Sequence, residues 1–138
     1  MIGRKMENRV AKRRIIDGFN KKDLTIFDSL FAQEYVLHIS GFPDVIGPNA
    51  LRELFCRILS GLSYVSLKLE DELSEGDRVA TRWKLEGEHT NQFLGANPTN
   101  RLIQISGMGI DRFHNGLAVE AWQYFDLKGL EKQLGITG

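Results

Sequence analysis

The sequence has a single cysteine, Cys56, so no disulfide can form within the chain. That usage fits a reducing compartment and not a disulfide-stapled secreted scaffold. No apolar run approaches the ~20 residues a helix needs to span a bilayer, so a membrane class is not expected. The opening MIGRKMENRV has no apolar leader core, and the cytoplasm is the expected location. An excess of one charge is missing too, because 18 Lys and Arg balance 18 Asp and Glu. Bulk electrostatic capture of nucleic acid needs unmatched basic residues, so the balance argues against that class. His38, His89 and His114 show no ligand spacing, with each other or with Cys56, and no metal is expected. GMG at Gly107 to Gly109 opens no helix and is no dinucleotide fingerprint. A G-x-S-x-G nucleophile signature is absent as well. No cofactor is expected.

What remains is an ordinary globular composition, 42% hydrophobic and 26% charged over 138 residues. One domain covering 1–138 accommodates it. MENRVAKRRIIDGFNKKD reads as a helix with Val10, Ala11, Ile15 and Phe19 near one stripe. Its basic residues, Arg4, Lys5, Arg9, Lys12, Arg13 and Arg14, read as a solvated face. DLTIFDSLF predicts a short second helix with Ile26, Phe27, Leu30 and Phe31 inward, and EYVLHIS a short strand. Pro48 suits the first position of a third helix, in which Leu51, Leu54, Phe55, Ile58 and Leu59 recur at helical spacing and Gly61 marks the end. Cys56 lies beside that stripe and is expected to pack.

From Tyr64 the period changes to two. YVSLKLEDEL alternates through Val65, Leu67, Leu69 and Leu73. RVATRWKLEGEH places Val79, Thr81, Trp83, Leu85 and His89 on one face. RLIQISGMGIDRF and LAVEAWQYF add two strands joined through HNG, and DLKGLEKQLG closes with an amphipathic helix. Helices first and a strand meander afterwards predict α+β, with the N-terminal helices packed on a curved antiparallel sheet. A pocket would form between sheet and helices.

Strand pairing decides which side chains share that pocket. A three-residue loop at His114, Asn115 and Gly116 sets Phe113 opposite Leu117 and Gln104 opposite Asp126. A two-residue type I′ turn would slip the register by one and exchange the faces. The three-residue choice, with His89 opposite Leu102, brings His89, Gln104 and Asp126 to one end of one face. Trp83, Trp122, Tyr124 and Tyr35 are then the expected walls. Asp126 has a second role open to it, because aspartate before LKGLEKQLG is a favoured helix N-cap. Glu120, about 20 Å along the strand from Asp126, is expected at a rim or in an ion pair. Ile103, Ile105, Val119, Ala121 and Phe125 fall on the opposite face. Left uncovered they would form an apolar patch, and a homodimer through that face is expected.

GEHTNQFLGANPTNR, followed by GIDRFHNGLAVEAWQYFDLKGLEKQLG, resembles the SnoaL-like polyketide cyclases, also called ester cyclases. FAQEYVLHISG, GPNALRELF and SEGDRVATRW extend the likeness over nearly the whole chain. Glu88, Asn91, Asn97 and Asn100 depart from the family pattern. The resemblance implies the cone-shaped nuclear transport factor two-like α+β barrel. It also implies cofactor-free, lyase-type ring closure by intramolecular aldol condensation on a hydrophobic, carbonyl-bearing small molecule. Asp126 maps onto the family's catalytic aspartate and His89 onto the histidine of its G-T-H motif. Asp126 is then the expected general base and acid, with His89 and Gln104 orienting it or polarising the substrate oxygen. The alternative is a non-catalytic small-molecule-binding or accessory domain of the same fold.

Overall fold

The computed structural model describes residues 4–136, and side chains from residue 7 onward. The side chains of Arg4 and Lys5 lie outside that range. Helix α1 (Arg4–Lys21) and the single turn α2 (Ile26–Ser29) precede β1 (Phe31–Ile39) and the two-residue β2 (Val45–Ile46). Helix α3 (Pro48–Gly61) leads into β3 (Leu62–Glu75), β4 (Arg78–His89), β5 (Leu102–His114) and β6 (Leu117–Phe125), and α4 (Leu127–Leu134) ends the order. The six strands form one sheet in the order β2-β1-β6-β5-β4-β3, curved but not closed. All pairs are antiparallel except β1 with β6. This is the α+β architecture expected from the order of elements.

The β5–β6 turn has two residues, not three. Asn115 and Gly116 both have positive φ, 51° and 78°, and His114 pairs with Leu117, as a type I′ turn requires. A bulge then places Phe113 opposite Ala118 and Arg112 opposite Glu120, so β6 holds one extra residue, Val119. The bulge restores the parity the turn had changed. Trp122 and Tyr124 therefore do share a face with Met108 and Gln104.

That face is the outer one. Glu88, not His89, pairs with Leu102, and Gly87 pairs with Ile103. A slip of one residue exchanges every side chain between faces. Ile103, Ile105 and Ala121 are buried against the helices, whereas Leu102, Met108 and Tyr124 are exposed. The apolar patch expected from Ile103, Ile105, Val119, Ala121 and Phe125 is thus largely core. Burying two isoleucines under α4 favours this register over one that would expose them.

Smaller corrections have local causes. A bulge between Leu69 and Asp71 turns Leu73 outward, where it is 73% exposed. Phe31 begins β1 instead of ending α2. Val10 is exposed, while Lys12 is buried in an ion pair and not part of a solvated face. Cys56 is exposed. Two side-chain amides complete free strand edges: Asn20 bonds both the N–H and the carbonyl of Leu67, and Gln133 does the same for Gln104 where β6 has ended.

Candidate functional site

Two apolar clusters fill the inner face. One gathers Ala11, Ile15, Phe27, Tyr35, Phe55, Val79, Phe113 and Ala121; the other gathers Leu62, Leu85, Phe93, Ile103, Ile105, Leu130 and Leu134. Between them runs a cross-strand band that is only partly buried. Thr81 pairs with Gly109, which pairs with Gln123; Trp83 pairs with Gly107, which pairs with Phe125. Gln123, Trp83 and Phe125 are half-buried.

Two glycines make room for the side chains that cross this band. A Cβ on Gly107 would lie 2.4 Å from the Trp83 ring, and one on Gly109 would lie 2.1 Å from the Gln123 amide. The strand is bare at these positions so that larger neighbours can lie across it. Trp83 Nε1 donates to Gln123 Oε1 at 2.8 Å, which leaves the Gln123 amide N–H groups as donors over the floor. Phe42, from the loop after β1, stacks on Phe125 with ring centroids 5.9 Å apart and forms an apolar rim.

Asp126 follows Phe125 directly and caps α4. Gly129 N–H donates to its Oδ1 at 2.9 Å. Oδ2 has no hydrogen-bond partner among the described residues and occupies the space that a Cβ on residue 129 would fill, 2.2 Å away. One oxygen is therefore held and the other is free.

His89 lies at the end of β4 with no exposed surface. Its Nδ1 accepts the Thr99 N–H at 3.2 Å, which puts the ring proton on Nε2, and Nε2 is buried without a partner among the described residues. Edge-on packing with Phe93 and backbone bonds to Asn100 and Arg101 complete its surroundings. The imidazole at the end of the Gly87–Glu88–His89 stretch thus holds the 90–100 loop onto the sheet. Phe93 in turn packs on Gly61, where a Cβ would come within 2.7 Å of its ring.

The remaining expected wall residues disperse. Gln104 is exposed on the outer face and bonds Glu86 at 3.1 Å. Tyr124 is 64% exposed on that face, and Trp122 lies there between His38 and the Arg78 guanidinium. Tyr35 is in the core; burial first, and the Asp111 carboxylate second, hold its phenol well above the ordinary range. Of the named walls, only Trp83 borders the band. Gln123, Gly107, Gly109 and Phe42 were missed, although two glycines spaced two apart in a strand were a usable signal. Among the described residues no group of three or more His, Cys, Asp or Glu is arranged to hold a metal ion, and no helix is long and apolar enough to cross a membrane.

The outer face carries a shallow groove of about 580 Å³, bordered by Leu73, Ala80, Met108, Ile110, Trp122 and Tyr124. At its β1 edge, His38 Nε2 meets Glu120 Oε2 at 2.7 Å and Nδ1 meets Asp44 Oδ1 at 3.0 Å. Arg112 bonds the other oxygen of Glu120. The ion pair expected for Glu120 is present.

A curved sheet whose inner face is roofed by helices and left part-open at a Trp–Gln band is the α+β cone of the nuclear transport factor two-like proteins. Residues 9–134 match the SnoaL-like polyketide cyclase family, and the chain belongs to it. Solved structures agree at the level of fold. A SnoaL-like protein from Jannaschia sp. CCS1 superposes with TM-score 0.87 at 16% identity, covering 97% of this chain and 95% of that one. TsrD from Streptomyces laurentii gives 0.85 at 24%, covering 96% and 98%. An LEH-like epoxide hydrolase of M. tuberculosis gives 0.76 at 17%, covering 96% and 92%. No curated protein matches the chain.

Proposed function

We propose that the protein is a cofactor-free acid–base enzyme acting on a hydrophobic, carbonyl-bearing small molecule bound along the inner-face band. The observation that carries this reading is the Asp126 carboxylate, fixed through Oδ1 and free at Oδ2 at the end of β6. Oδ2 takes a proton from the carbon beside the substrate carbonyl. The Gln123 amide, three positions upstream and within about 10 Å along the strand, donates to the enolate oxygen that forms. In a ring closure the enolate carbon attacks a second carbonyl of the same molecule, and the new alkoxide recovers the proton from Asp126. Trp83, Phe42 and Phe125 offer the apolar part of the substrate a surface to lie on. His89 serves by holding the 90–100 loop.

Proton abstraction can be read without the natural substrate, by following deuterium exchange at the α-carbon of 1-tetralone by NMR. Asp126→Asn should lower the enzyme-dependent rate by about 10²–10⁴-fold, the usual contribution of a positioned base. Asparagine caps a helix about as well as aspartate, so the melting temperature should hold, whereas Asp126→Ala should cost about 1 kcal/mol in addition. Unchanged exchange in Asp126→Asn sinks this assignment and leaves the binding-domain alternative.

We further propose that the outer face pairs with a second copy of the chain. Leu73, Met108, Ile110 and Tyr124 form an exposed apolar surface there, framed by the Arg82–Asp71 ion pair. Light scattering should report a dimer at micromolar concentration, and Met108→Asp should shift it to monomer. A monomeric parent removes the idea.

A further inference from the structure

Helix α4 breaks a local rule next to the candidate base. In LKGLEKQL the residues Leu127, Leu130 and Leu134 keep the helical stripe, but the third position of the first turn is Gly129. That position favours Glu or Gln, and glycine is the poorest helix former after proline. Two ordinary reasons for a helical glycine fail here. Gly129 is not among the glycines of positive φ, so its backbone conformation is open to any residue. Nor does another element press on it first. Outside the helix backbone, the three heavy atoms nearest to a Cβ built there all belong to Asp126. Local rules broken without a reason in the fold are characteristic of functional sites.

The conflict is with the carboxylate. A Cβ at residue 129 would overlap Oδ2 and stand 2.8 Å from Asp126 Cγ. Ordinary N-caps leave their third residue room for a side chain, the glutamate of a capping box included. Asp126 differs in its backbone: its ψ of 81° falls short of the extended range usual for a cap, and its carboxylate lies across the first turn. Oδ1 takes the Gly129 N–H at 2.9 Å, and Oδ2 rests where the missing side chain would be. The turn itself is anchored to β5. Asp126 N–H donates to the Ser106 carbonyl at 3.1 Å. The Gln133 amide donates to the Gly129 carbonyl at 3.3 Å and to the Gln104 carbonyl at 2.8 Å. A methyl at 129 would therefore be met by rotation of the Asp126 side chain and not by movement of the helix. Because Cγ is too close as well as Oδ2, that rotation must be about χ1.

We propose that Gly129 is a positioning residue for the Asp126 base: its missing side chain lets the carboxylate be held through Oδ1 while Oδ2 keeps one fixed orientation. The inference rests on the reading of Asp126 as the proton acceptor. A carboxylate turned to another rotamer still caps α4 but offers its free oxygen elsewhere, and misplacing a reacting group by about 1 Å can cost ~10²-fold in rate. Helix propensity runs the other way, since alanine is the best helix former. A methyl at 129 thus leaves the helix as stable as before, or more so, while proton transfer slows. A glycine needed only for packing would give the opposite sign in stability.

Gly129→Ala separates the two roles. Deuterium exchange into 1-tetralone should show kcat lowered about 10–100-fold with KM held within twofold, and a melting temperature equal to the parent's or higher. Gly129→Ser adds the same Cβ and should behave alike. The Hα–Hβ couplings of Asp126, measured by NMR on the ligand-free proteins, should report a changed χ1 in both variants. An unchanged χ1 overturns the proposal whether or not the ketone exchanges. A lowered melting temperature also overturns it, because the turn and not the carboxylate would then have absorbed the methyl. Asp126→Asn tells failure of this inference from failure of the base reading. If Asp126→Asn loses exchange and Gly129→Ala keeps it, only the positioning role fails. If Asp126→Asn itself keeps exchange, the base reading fails and takes the positioning role with it.

Discussion

The inner and outer faces of the sheet both carry ionic groups, but they hold them in opposite ways. On the inner face Lys12 and Asp111 form an isolated pair whose side chains are 8% and 6% exposed. On the outer face His38 sits between Asp44 and Glu120, with Arg112 behind, all at least a quarter exposed. Water shares the work of solvating the outer chain, so losing a member leaves charges that solvent can still reach. Solvent cannot do this for the inner pair. The same chemistry is thus a weak surface fastening on one face and a constraint on the core on the other, and the difference lies in desolvation, not in distance.

The largest expected effect breaks the inner pair. Lys12→Met leaves a buried carboxylate without its cation and should destabilise the fold by about 3–5 kcal/mol. The double substitution Lys12→Met with Asp111→Leu removes both charges and should recover most of that loss, because replacing a whole buried pair by apolar groups is often neutral or stabilising. Urea denaturation of the single and double variants measures the difference. A double variant no more stable than the single one would show that Asp111 serves the fold through something other than Lys12.

A second prediction sets the glycine floor against the outer surface. Gly107→Ala places a methyl 2.4 Å from the Trp83 ring and 2.6 Å from the Tyr124 carbonyl oxygen, and the backbone oxygen cannot swing aside. Overpacking of this kind typically costs about 1–3 kcal/mol. Met108→Gln, one residue along and 60% exposed, should stay within about 0.5 kcal/mol when measured under monomeric conditions. Trp83 fluorescence should shift in the first variant and not in the second. Equal stability of the two would mean that the Trp83 ring moves freely.

The fold was legible because its signals are periodic. The i, i+3, i+4 stripe of α3 and the alternation of β4 each describe one element and need no partner. The site was not legible, because it depends on relations between strands. The register of β4 against β5 is set by the 90–100 loop, through the bonds joining His89 to Asn100 and Arg101, and Asn100 has a positive φ of 58°. Nothing in the alternation of either strand fixes that offset. An error of one residue there put Gln104, Trp122 and Tyr124 in the pocket and Ile103 and Ile105 outside it. The β6 bulge, by contrast, offset a wrong turn length, so the face shared by Trp122 and Met108 came out right for a reason the sequence does not display. Lys12 looked like one basic residue among six on α1. Only the position of Asp111 on the facing strand distinguishes it. Asp126 was readable both as cap and as base, and the cap is present.

The smallest expected effect tests the outer chain and has a definite sign. Both ring nitrogens of His38 face carboxylates, and only the imidazolium donates to both. Its hydrogen bonds to Glu120 and then to Asp44 raise its pKa above 6.5, and the His38 hydrogen bond lowers that of Glu120 below 4.5. The His38 contribution to stability is complete below 6.5 and is lost as pH rises through its higher folded value. The Glu120 contribution is complete above 4.5 and is lost as pH falls through its lower folded value. Both are present together between pH 4.5 and 6.5. The stability difference between the parent and His38→Gln should therefore peak in that window and shrink on either side. Exposed pairs of this type contribute about 0.2–1 kcal/mol, reduced further by salt, so the peak should be modest and should flatten at high ionic strength. Denaturant midpoints across pH at two salt concentrations measure it. A difference of several kcal/mol, or one insensitive to salt, would mean that the outer chain is desolvated like the inner pair, as a second copy covering that face would do, and the contrast between the faces would then belong to the monomer alone.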